Sequence, residues 1–524
     1  MNVPDALRRL TPLYGDAPAL ICGSEHQSYA QLDERSNRLA NALLASGLQR
    51  GDRVAVWLEN SIACIEIDCA LAKAGLVRVS LNPRLTHAEA EYILADSEAR
   101  LFIFGASFDG TVDAALIHGG PRRALRVGEG TPPVAGLPDY DAFLLSGNDA
   151  PVASVFDAEH LYCLFYTSGT TGKPKGVMLS HRAMLHVAWN LLMEVGPLEV
   201  GERALLMQPL SHGAGFFVLP QLMKGGVCVI MRHFDPAEVL RLAAEHQVEM
   251  IKLIPTMLQR ILRVPGVEKV ALPRLRAIIY GASPMPEEPL RQAIQVFGAG
   301  KLVQIYGQSE CPVTLTVLHG NEHRLDTPWP QRLTSAGRPW GTVEVRVVDD
   351  AGVDVAPGGV GEVVLCGPHL MSGYWKRPET TAETIRNGWL HTKDMGRIDE
   401  HGFVYLLGRK DEMIISGGYN IAPREIEDVL YQHAAVQEAA VLGEADAEWG
   451  QAVVAYVCLK EPSEEASGGE ALARELLEFT RPRLGFKRPK RIYLMRELPK
   501  NPAGKIQKKA LVPAAALACI GGAA

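Results

Sequence analysis

The chain has 524 residues, which is too long for a single hydrophobic core, so we expect more than one domain. Hydrophobic residues make up 47% and charged residues 22%, as is typical of globular proteins, and the net charge of −7 argues against nucleic acid as the main partner. The 9 cysteines include no Cys-x-x-Cys pair, which indicates free thiols in a reducing compartment and disfavours structural zinc.

The first five residues do not begin a basic region that is followed by an apolar one. No apolar run in the sequence approaches membrane-spanning length. We therefore predict no signal peptide, no membrane span and a cytoplasmic location. The sequence leaves the oligomeric state open, with a homodimer among the options.

The first part of the chain alternates between helix and strand patterns. Residues 28–31 have the pattern of a capping box, and the leucines after them fall on one helical face that ends at Gly47. The predicted strands lie at 53–58, 76–80, 100–104, 161–165, 227–231, 250–254, 276–280 and 301–305. Because strands separated by helices usually pair in parallel, this pattern predicts a parallel α/β sheet. Residues 110–150 are rich in Gly and Pro and give weak signals.

The pattern changes after residue 340. Strands predicted at 343–349 and 361–366 and a hairpin turn at 399–402 indicate a small β subdomain. Beyond Arg409 we predict a helix at 423–431 and strands at 452–459 and 491–495, a compact α+β unit. The predicted class is therefore α/β: a large N-terminal domain of parallel α/β sheets plus the β subdomain (1–410), then a small mobile α+β domain (411–524).

The most distinctive segment follows the predicted strand at 161–165. Residues 166–176 read Tyr-Thr-Ser-Gly-Thr-Thr-Gly-Lys-Pro-Lys-Gly. Glycines let backbone N–H groups approach phosphate oxygens, while hydroxyls and lysines add donors and positive charge. Pro174 prevents a helix from starting there, unlike in the common P-loop, so we predict a mobile loop that closes over a triphosphate. The candidate phosphate-binding residues are Thr167, Ser168, Gly169, Thr170, Thr171, Gly172 and Lys175.

This string resembles the phosphate-binding signature of the adenylate-forming superfamily, which includes acyl-CoA synthetases, adenylation domains of peptide synthetases and beetle luciferases. The resemblance runs from about residue 29 to residue 509, and it looks most like bacterial acyl- and aryl-CoA ligases, including the halobenzoate and medium-chain types. It implies ATP, Mg²⁺ and coenzyme A as cofactors, with a small carboxylic acid as substrate.

Further motifs lie at predicted strand ends, where parallel sheets bind ligands. The string Tyr306-Gly307-Gln308-Ser309-Glu310 is similar to the family's aromatic-Gly-x-Thr-Glu motif, with Ser309 in place of Thr. The resemblance implies that Tyr306 stacks on adenine and that Glu310 holds Mg²⁺ against the nucleotide phosphates.

The other wall of the implied adenine slot comes from Gly281, Ala282 and Ser283. Asp394 matches the family residue that binds the ribose hydroxyls, and Arg409 would contact ribose or phosphate. Lys393 stands where the family has glycine, which leaves the local backbone shape open.

Residues 500–505 resemble the family's catalytic-lysine loop. Lys505 would bridge the substrate carboxylate and the α-phosphate, where negative charges meet as adenylation proceeds. Asp411 matches the hinge about which the small domain would rotate between two half-reactions.

Residues 209–217 resemble the motif that lines the acyl pocket, with His212 near the substrate carboxylate and Gly213, Phe216 and Phe217 around the acyl group. These candidates offer no cation for a second carboxylate, and Ile305 replaces an arginine of malonate-activating relatives. We therefore predict a largely apolar monocarboxylic acid, whether aromatic, alicyclic or medium-chain.

Coenzyme A requires cations and flat apolar surfaces. Two strings of the small domain resemble coenzyme A-contacting segments, and a large-domain arginine matches one that reaches the nucleotide phosphates. The residues so implied are Arg84, Gly418, Trp449, Phe486, Arg488 and Lys490.

The sequence thus predicts an ATP-dependent carboxylate–CoA ligase that forms acyl-AMP and pyrophosphate, then acyl-CoA and AMP. An enzyme that loads a carrier protein would share every nucleotide motif. Two further hypotheses are a luciferase-like oxygenase and an inactive nucleotide-binding homologue, and the presence of Lys505 and Glu310 argues against the inactive homologue.

Overall fold

The computed structural model describes residues 1–119, 123–132, 134, 136–153, 156–167, 173–460, 466–501 and 505–520. Its α-helices are α1 Val3–Leu7, α2 Leu10–Tyr14, α3 Tyr29–Ala45, α4 Ile62–Ala74, α5 His87–Ser97, α6 Ala114–Gly119, α7 Tyr140–Leu145, α8 His181–Glu194, α9 Val218–Met223, α10 Pro236–Glu245, α11 Pro255–Leu262, α12 Glu287–Phe297, α13 Pro378–Thr384, α14 Pro423–Tyr431 and α15 Ala466–Leu484.

The strands lie between these helices and continue to the end of the described chain. They are β1 Pro18–Cys22, β2 Glu25–Ser28, β3 Arg53–Trp57, β4 Val77–Ser80, β5 Leu101–Gly105, β6 Ala124–Val127, β7 Leu161–Thr167, β8 Lys175–Ser180, β9 Arg203–Leu206, β10 Val227–Ile230, β11 Met250–Leu253, β12 Ala277–Gly281, β13 Leu302–Gln308, β14 Cys311–Leu318, β15 Arg338–Pro339, β16 Glu344–Val348, β17 Gly361–Cys366, β18 Gly373–Tyr374, β19 Ile385–Arg386, β20 Trp389–Ile398, β21 Val404–Arg409, β22 Ile414–Ser416, β23 Tyr419–Ile421, β24 Val436–Asp446, β25 Gly450–Leu459, β26 Arg491–Met495 and β27 Ala518–Ile520.

Two large sheets with parallel cores form most of the molecule. One has nine strands in the order β15-β14-β13-β12-β11-β9-β10-β1-β2, and the other has seven in the order β18-β8-β7-β4-β3-β5-β6. Strands such as β10 and β12 are buried along their whole length, as expected for parallel strands that are covered on both faces. The parallel α/β class predicted from the alternating pattern is confirmed.

Two smaller sheets complete the described part of the chain. β16, β17, β20, β19 and β21 form an antiparallel sheet, which confirms the predicted β subdomain and its hairpin turn. The strands β22 to β27 form a six-stranded sheet against which α14 and α15 pack. A separate core cluster beneath these helices supplies this unit with its own apolar interior.

Local signals set several element boundaries. The Ser28 side chain accepts a hydrogen bond from the Gln31 N–H and Gln31 returns one, so the predicted capping box starts α3. Leu39 and Leu43 on the apolar face of that helix are 0% exposed. A second capping box at Thr86 and Glu89 starts α5.

Three differences from the sequence predictions concern pairing and weak segments. The strand predicted to end at 305 continues to Gln308 and turns back as β14, so the Tyr306 motif lies within a hairpin rather than after a strand. β7 and β8 precede and follow residues 168–174, and they pair antiparallel. The weakly patterned 110–150 region contains α6, β6 and α7.

No helix in the described ranges is long and apolar enough to cross a membrane, and the same ranges contain no cluster of three or more metal-ligating side chains.

Candidate active site

Asp394 lies at the centre of a hydrogen-bonded cluster built from three strands. The Tyr306 hydroxyl and the Gln308 amide both donate to its Oδ2, the latter at 2.6 Å. Arg409 Nη1 donates to Oδ1 at 3.0 Å. Burial and the Asp394 carboxylate raise the pKa of the Tyr306 phenol, so it stays a donor. Three predicted nucleotide-binding residues from two other strands therefore meet at the carboxylate of a fourth.

The backbone at Lys393 keeps the shape for which glycine is suited. Lys393 has φ of 61°, in the left-handed region, and its N–H donates to Glu362 Oε1 at 3.0 Å. A non-glycine residue held there stores strain of about 1 kcal/mol or more. The departure from the family's glycine therefore does not turn Asp394 away from Tyr306 and Gln308.

The implied adenine wall lies next to this cluster. Gly281 at the end of β12 pairs with Ile305 of β13, the residue before Tyr306. A Cβ at Gly281 would lie 2.2 Å from the Ile305 carbonyl oxygen, so only glycine fits. Ala282 follows with φ of 70°, which turns the Ala282-Ser283 segment at the strand ends.

Glu310 lies beside the ends of the phosphate-loop hairpin. Its Oε1 accepts a hydrogen bond of 2.7 Å from the Tyr374 hydroxyl, and Lys175 Nζ lies 4.9 Å from the centroid of the Tyr374 ring. Lys175 pairs with Thr167 across β7 and β8, so Thr167 lies at the same strand ends as Lys175. The predicted phosphate-binding residues Ser168, Gly169, Thr170, Thr171 and Gly172 lie outside the described residues.

The donor set at Glu310 fits a magnesium ion that is shared with a nucleotide. Glu310 is one carboxylate, and the described residues contain no larger cluster of ligating side chains. Mg²⁺ is usually held by one or two carboxylates together with substrate phosphates and water, rather than by an all-protein cage.

Lys505 reaches this cluster from the six-stranded-sheet unit. The side chain of Lys505 is exposed to solvent, but the protein atoms around it partly desolvate the amine. This desolvation lowers the pKa of Lys505, the carboxylates of Asp394 and Glu310 oppose the shift, and Arg409 adds to it. The charge of Lys505 also lowers the pKa of His212. Lys505 thus lies where the predicted nucleotide and acyl residues meet.

His212 packs among aromatic rings on the acyl side. Its ring centroid lies 4.9 Å from that of Phe165, which in turn lies 5.4 Å from that of Phe216. Burial lowers the pKa of His212 to about 4, so the imidazole is neutral at neutral pH. Gly213 follows it, and Phe217 at the end of a short 3₁₀ turn is 1% exposed.

Lys252 lies beside this acyl-side group and is not among the residues predicted from the sequence. Lys252 is on β11, is 2% exposed, and has its Nζ 5.7 Å from the centroid of the Phe217 ring. Its Nζ donates to the Leu253 carbonyl at 3.0 Å. Burial alone lowers the pKa of Lys252 to about 7. The signal in the sequence that could have identified Lys252 is a lysine inside an otherwise apolar strand.

Lys252 makes stability depend on pH. Because its pKa is about 7 when folded and near 10.4 when unfolded, the unfolded chain binds more protons between these values, and stability rises with pH across that window. We expect Lys252→Met to raise the free energy of unfolding at both pH values. The increase should be about 2 to 3 kcal/mol larger at pH 6 than at pH 9. Urea unfolding at both pH values measures this.

Exposed Lys269→Met is the matched control for this measurement. It is expected to change stability equally at the two pH values. An equal effect of Lys252→Met at both pH values would contradict the assignment of a buried, unpaired amine.

The implied coenzyme A residues of the small unit form a surface group. The Phe486 and Tyr419 rings lie 4.9 Å apart, and Lys490 Nζ lies 4.8 Å from the centroid of the Trp449 ring. Phe486 is 57% and Trp449 38% exposed, so flat apolar surface is available beside cations. Gly418, with φ of 81°, is in the turn that carries Tyr419.

Two further implied coenzyme A residues differ in their surroundings. Arg488 follows the 3₁₀ turn that carries Phe486, and its guanidinium donates to the Gly485 carbonyl at 3.3 Å. Arg84 belongs to the seven-stranded-sheet part of the chain, where it is exposed in the turn between β4 and α5.

Asp411 lies in a short 3₁₀ turn between β21 and β22, where the chain passes between two sheets. Its Oδ1 is 4.0 Å from Arg409 Nε. Beyond the turn, Arg424 Nη2 of α14 donates to the Met285 carbonyl at 3.0 Å, which ties the small unit to the segment before α12.

Two sequence models match most of the chain. The model described as AMP-binding enzyme matches residues 8–375, and the model described as AMP-binding enzyme C-terminal domain matches residues 425–505. Together they include the Asp394 partner Tyr306, the carboxylate Glu310 and the lysine Lys505.

Individual relatives agree in length and fold. The feruloyl-CoA synthase of an Amycolatopsis species is 37% identical over 495 residues, which cover 94% of each chain. The fatty acid–[acyl-carrier-protein] ligase of Streptomyces coeruleorubidus is 35% identical over 500 residues, covering 94% of this chain and 92% of the relative. The amide bond synthetase of Marinactinospora thermotolerans superimposes with a TM-score of 0.86 at 28% identity, covering 97% of this chain and 98% of that one.

Proposed function

We propose that this chain, which belongs to the AMP-binding enzyme family, is an ATP-dependent carboxylate–CoA ligase. The observation that carries the proposal is that Asp394 pairs with Arg409 and that both of them, together with Glu310, influence the pKa of Lys505. This group combines cations for phosphate, a carboxylate for ribose and a carboxylate for a hard metal ion.

In the proposed first half-reaction, a carboxylate oxygen of the acid attacks the α-phosphorus of ATP. A new O–P bond forms, the bond to the β-phosphate breaks, and pyrophosphate leaves with its electron pair. The acid is already ionised, so no general base is required. Lys505 lies where it can neutralise charge on both anions, and Arg409 and Asp394 would hold the ribose.

Mg²⁺, when bound at Glu310, neutralises part of the triphosphate charge. The Tyr374 hydroxyl orients the Glu310 carboxylate, and Lys175 adds positive charge on the same side. The residues of this chain therefore bind and orient the phosphates before bond breaking.

In the second half-reaction, the coenzyme A sulfur attacks the acyl carbonyl of acyl-AMP. A C–S bond forms, the C–O bond to AMP breaks, and the thiol proton is released. We propose that the chain divides into domains 1–410 and 411–524 and that Asp411 is the hinge that lets the smaller domain serve both steps. A homodimer and a cytoplasmic location stay predictions.

A pyrophosphate-release screen against a panel of carboxylic acids tests the proposal. We expect ATP- and acid-dependent release with a largely apolar monocarboxylic acid, and acyl-CoA as the product when coenzyme A is added. Release with no acid in the panel would contradict the ligase function.

A carrier-protein loader is the second candidate, because one relative is named as a ligase of fatty acid and acyl-carrier protein. The solved amide bond synthetase also indicates that one fold accommodates different acceptors. Acylation of a phosphopantetheinylated carrier protein, without reaction of free coenzyme A, would favour the loader.

Coenzyme A binding is predicted to depend on Arg84 and Arg488, because guanidinium groups bind phosphate through paired hydrogen bonds. We expect Arg84→Ala and Arg488→Ala each to raise the apparent KM for coenzyme A about tenfold, the size of one charge-assisted hydrogen bond, and to leave the KM for ATP nearly unchanged. Steady-state kinetics with each substrate varied measure this.

Exposed Arg263→Ala, at the end of α11, is the control for both arginine variants. An equal rise in the KM for ATP would assign Arg84 or Arg488 to the nucleotide instead.

A further inference from the structure

We infer that Lys252 selects the acid: the substrate is an aromatic carboxylic acid with a hydroxyl on its ring, and the Lys252 amine hydrogen-bonds that oxygen. This inference rests on the proposed function, since it names the substrate class of the ligase site. It adds a residue that the nucleotide and acyl motifs do not contain.

Lys252 has a defined place in the nine-stranded sheet. It pairs in register with Leu206 of β9 and Ile279 of β12, and Ile279 pairs with Val303. Residues in register across a sheet point to the same face. The three neighbours belong to the core cluster that also contains Phe217, so Lys252 is the charged member of an apolar row.

The same face continues toward the adenine wall. Gly281 lies two residues beyond Ile279 on β12, about 7 Å along the strand. Lys252 is therefore one pleat deeper than the strand ends where the nucleotide residues meet. An aromatic ring whose carboxylate reaches Lys505 would direct its opposite end into this deeper layer.

The Lys252 amine has unused hydrogen-bonding capacity. An ammonium has three donors, and the described contacts supply one acceptor, the Leu253 carbonyl. Burial is the single cause of the lowered pKa of Lys252, and no charged group among the described residues contributes to it. Burying such a group costs free energy unless a partner is provided.

Other polar atoms near the acyl-side group are also unpaired. Gln208 Oε1 and Ser211 Oγ are buried and have no hydrogen-bond partner among the described residues. Gln208 Oε1 lies 3.6 Å from the Cβ position of Gly213. Unpaired polar atoms of this kind can form hydrogen bonds with a hydroxyl group of a ligand.

The aromatic and electrostatic surroundings favour a ring hydroxyl over other groups. Phe165, Phe216 and Phe217 offer flat apolar surface for a ring. Because burial lowers the pKa of Lys252 to about 7, its amine can donate to a neutral oxygen in either protonation state. A second carboxylate of the substrate beside Lys252 would take two charged groups out of water. A substrate with only hydrocarbon at this end would leave the Lys252 amine without a hydrogen-bond partner.

The test compares matched acids with and without the ring hydroxyl. We would measure kcat/KM for pyrophosphate release with 4-hydroxycinnamate against cinnamate, 4-hydroxybenzoate against benzoate, and with hexanoate and succinate. The wild type should favour the hydroxylated member of at least one pair tenfold or more, because a site built to hydrogen-bond a hydroxyl rejects the analogue that lacks it.

Lys252→Met removes the donor while keeping a similar length, and should bring that ratio close to one. Ile251→Val is the control, since Ile251 packs in the core cluster on the opposite face of the sheet and should leave the ratio unchanged.

Each outcome decides the inference. An unchanged ratio in Lys252→Met overturns it, as does a wild type that prefers succinate, hexanoate or the unsubstituted aromatic acids. The ratio of the two kcat/KM values in the wild type is measured without any variant. It therefore tests the inference even if Lys252→Met does not fold. If no acid releases pyrophosphate, the proposed ligase function fails; if unsubstituted acids react as well as hydroxylated ones, only the role of Lys252 fails.

Discussion

Lys505→Ala is expected to slow acyl-AMP formation by on the order of 10²–10³-fold or more, the scale of losing one key electrostatic group in an active site. We expect this loss because of the position of Lys505. Lys505 lies beside Asp394, Arg409 and Glu310, where the carboxylate and the α-phosphate would meet and where negative charge accumulates as pyrophosphate leaves. The thioester-forming half-reaction releases no pyrophosphate, so we expect it to lose much less.

Two assays separate the halves. Acid-dependent exchange of labelled pyrophosphate into ATP follows adenylation, and synthetic acyl-AMP plus coenzyme A follows thioester formation. Lys500→Ala is the matched control, because Lys500 lies in the same loop but pairs with Glu438 at 2.7 Å. It should retain near wild-type rates in both assays. Equal losses in the two halves for Lys505→Ala would contradict the assigned role.

Asp411→Pro is expected to spare adenylation and to reduce acyl-CoA formation by on the order of 10²-fold or more. Proline fixes φ and restricts the residue before it, whereas a hinge must adopt two backbone conformations. In the structure Asp394, Glu310 and Arg409 influence the pKa of Lys505, so we propose that a variant locked in this arrangement would still form acyl-AMP. The measurement is acyl-AMP accumulation without release of acyl-CoA.

Asp411→Ala is the control for backbone restriction. It removes the contact with Arg409, 4.0 Å away, but leaves the backbone free, and should support both half-reactions. Normal acyl-CoA formation by Asp411→Pro would show that the chain rotates elsewhere.

Several features could be predicted from the sequence because the interactions behind them are local. The capping boxes at Ser28 and Thr86 depend on residues three positions apart, and only the first was predicted. Most strands of the parallel sheets were predicted from short apolar runs, and α14 and β26 from their patterns of apolar residues. The nucleotide motifs were recognised from residue order alone.

Other features lay beyond such local signals. β9 was missed because its residues, Arg-Ala-Leu-Leu, include no β-branched or aromatic side chain and favour helix by propensity. The hairpin of β13 and β14 was missed because an apolar run does not specify its partner. The backbone at Lys393 could not be predicted from a lysine, since its left-handed φ is held by a hydrogen bond to Glu362, 31 positions away.

The sequence by itself therefore determined the elements and the chemical types of the site residues, whereas the tertiary structure decided which of them meet. Tyr306 and Asp394 are 88 positions apart, and their contact exists because the end of β13 lies against the middle of β20. Lys252 looks in sequence like any lysine in a short strand, and only packing on both faces of the sheet shows it to be buried and unpaired. Burial and convergence depend on the whole chain, because they arise from distant segments excluding water together.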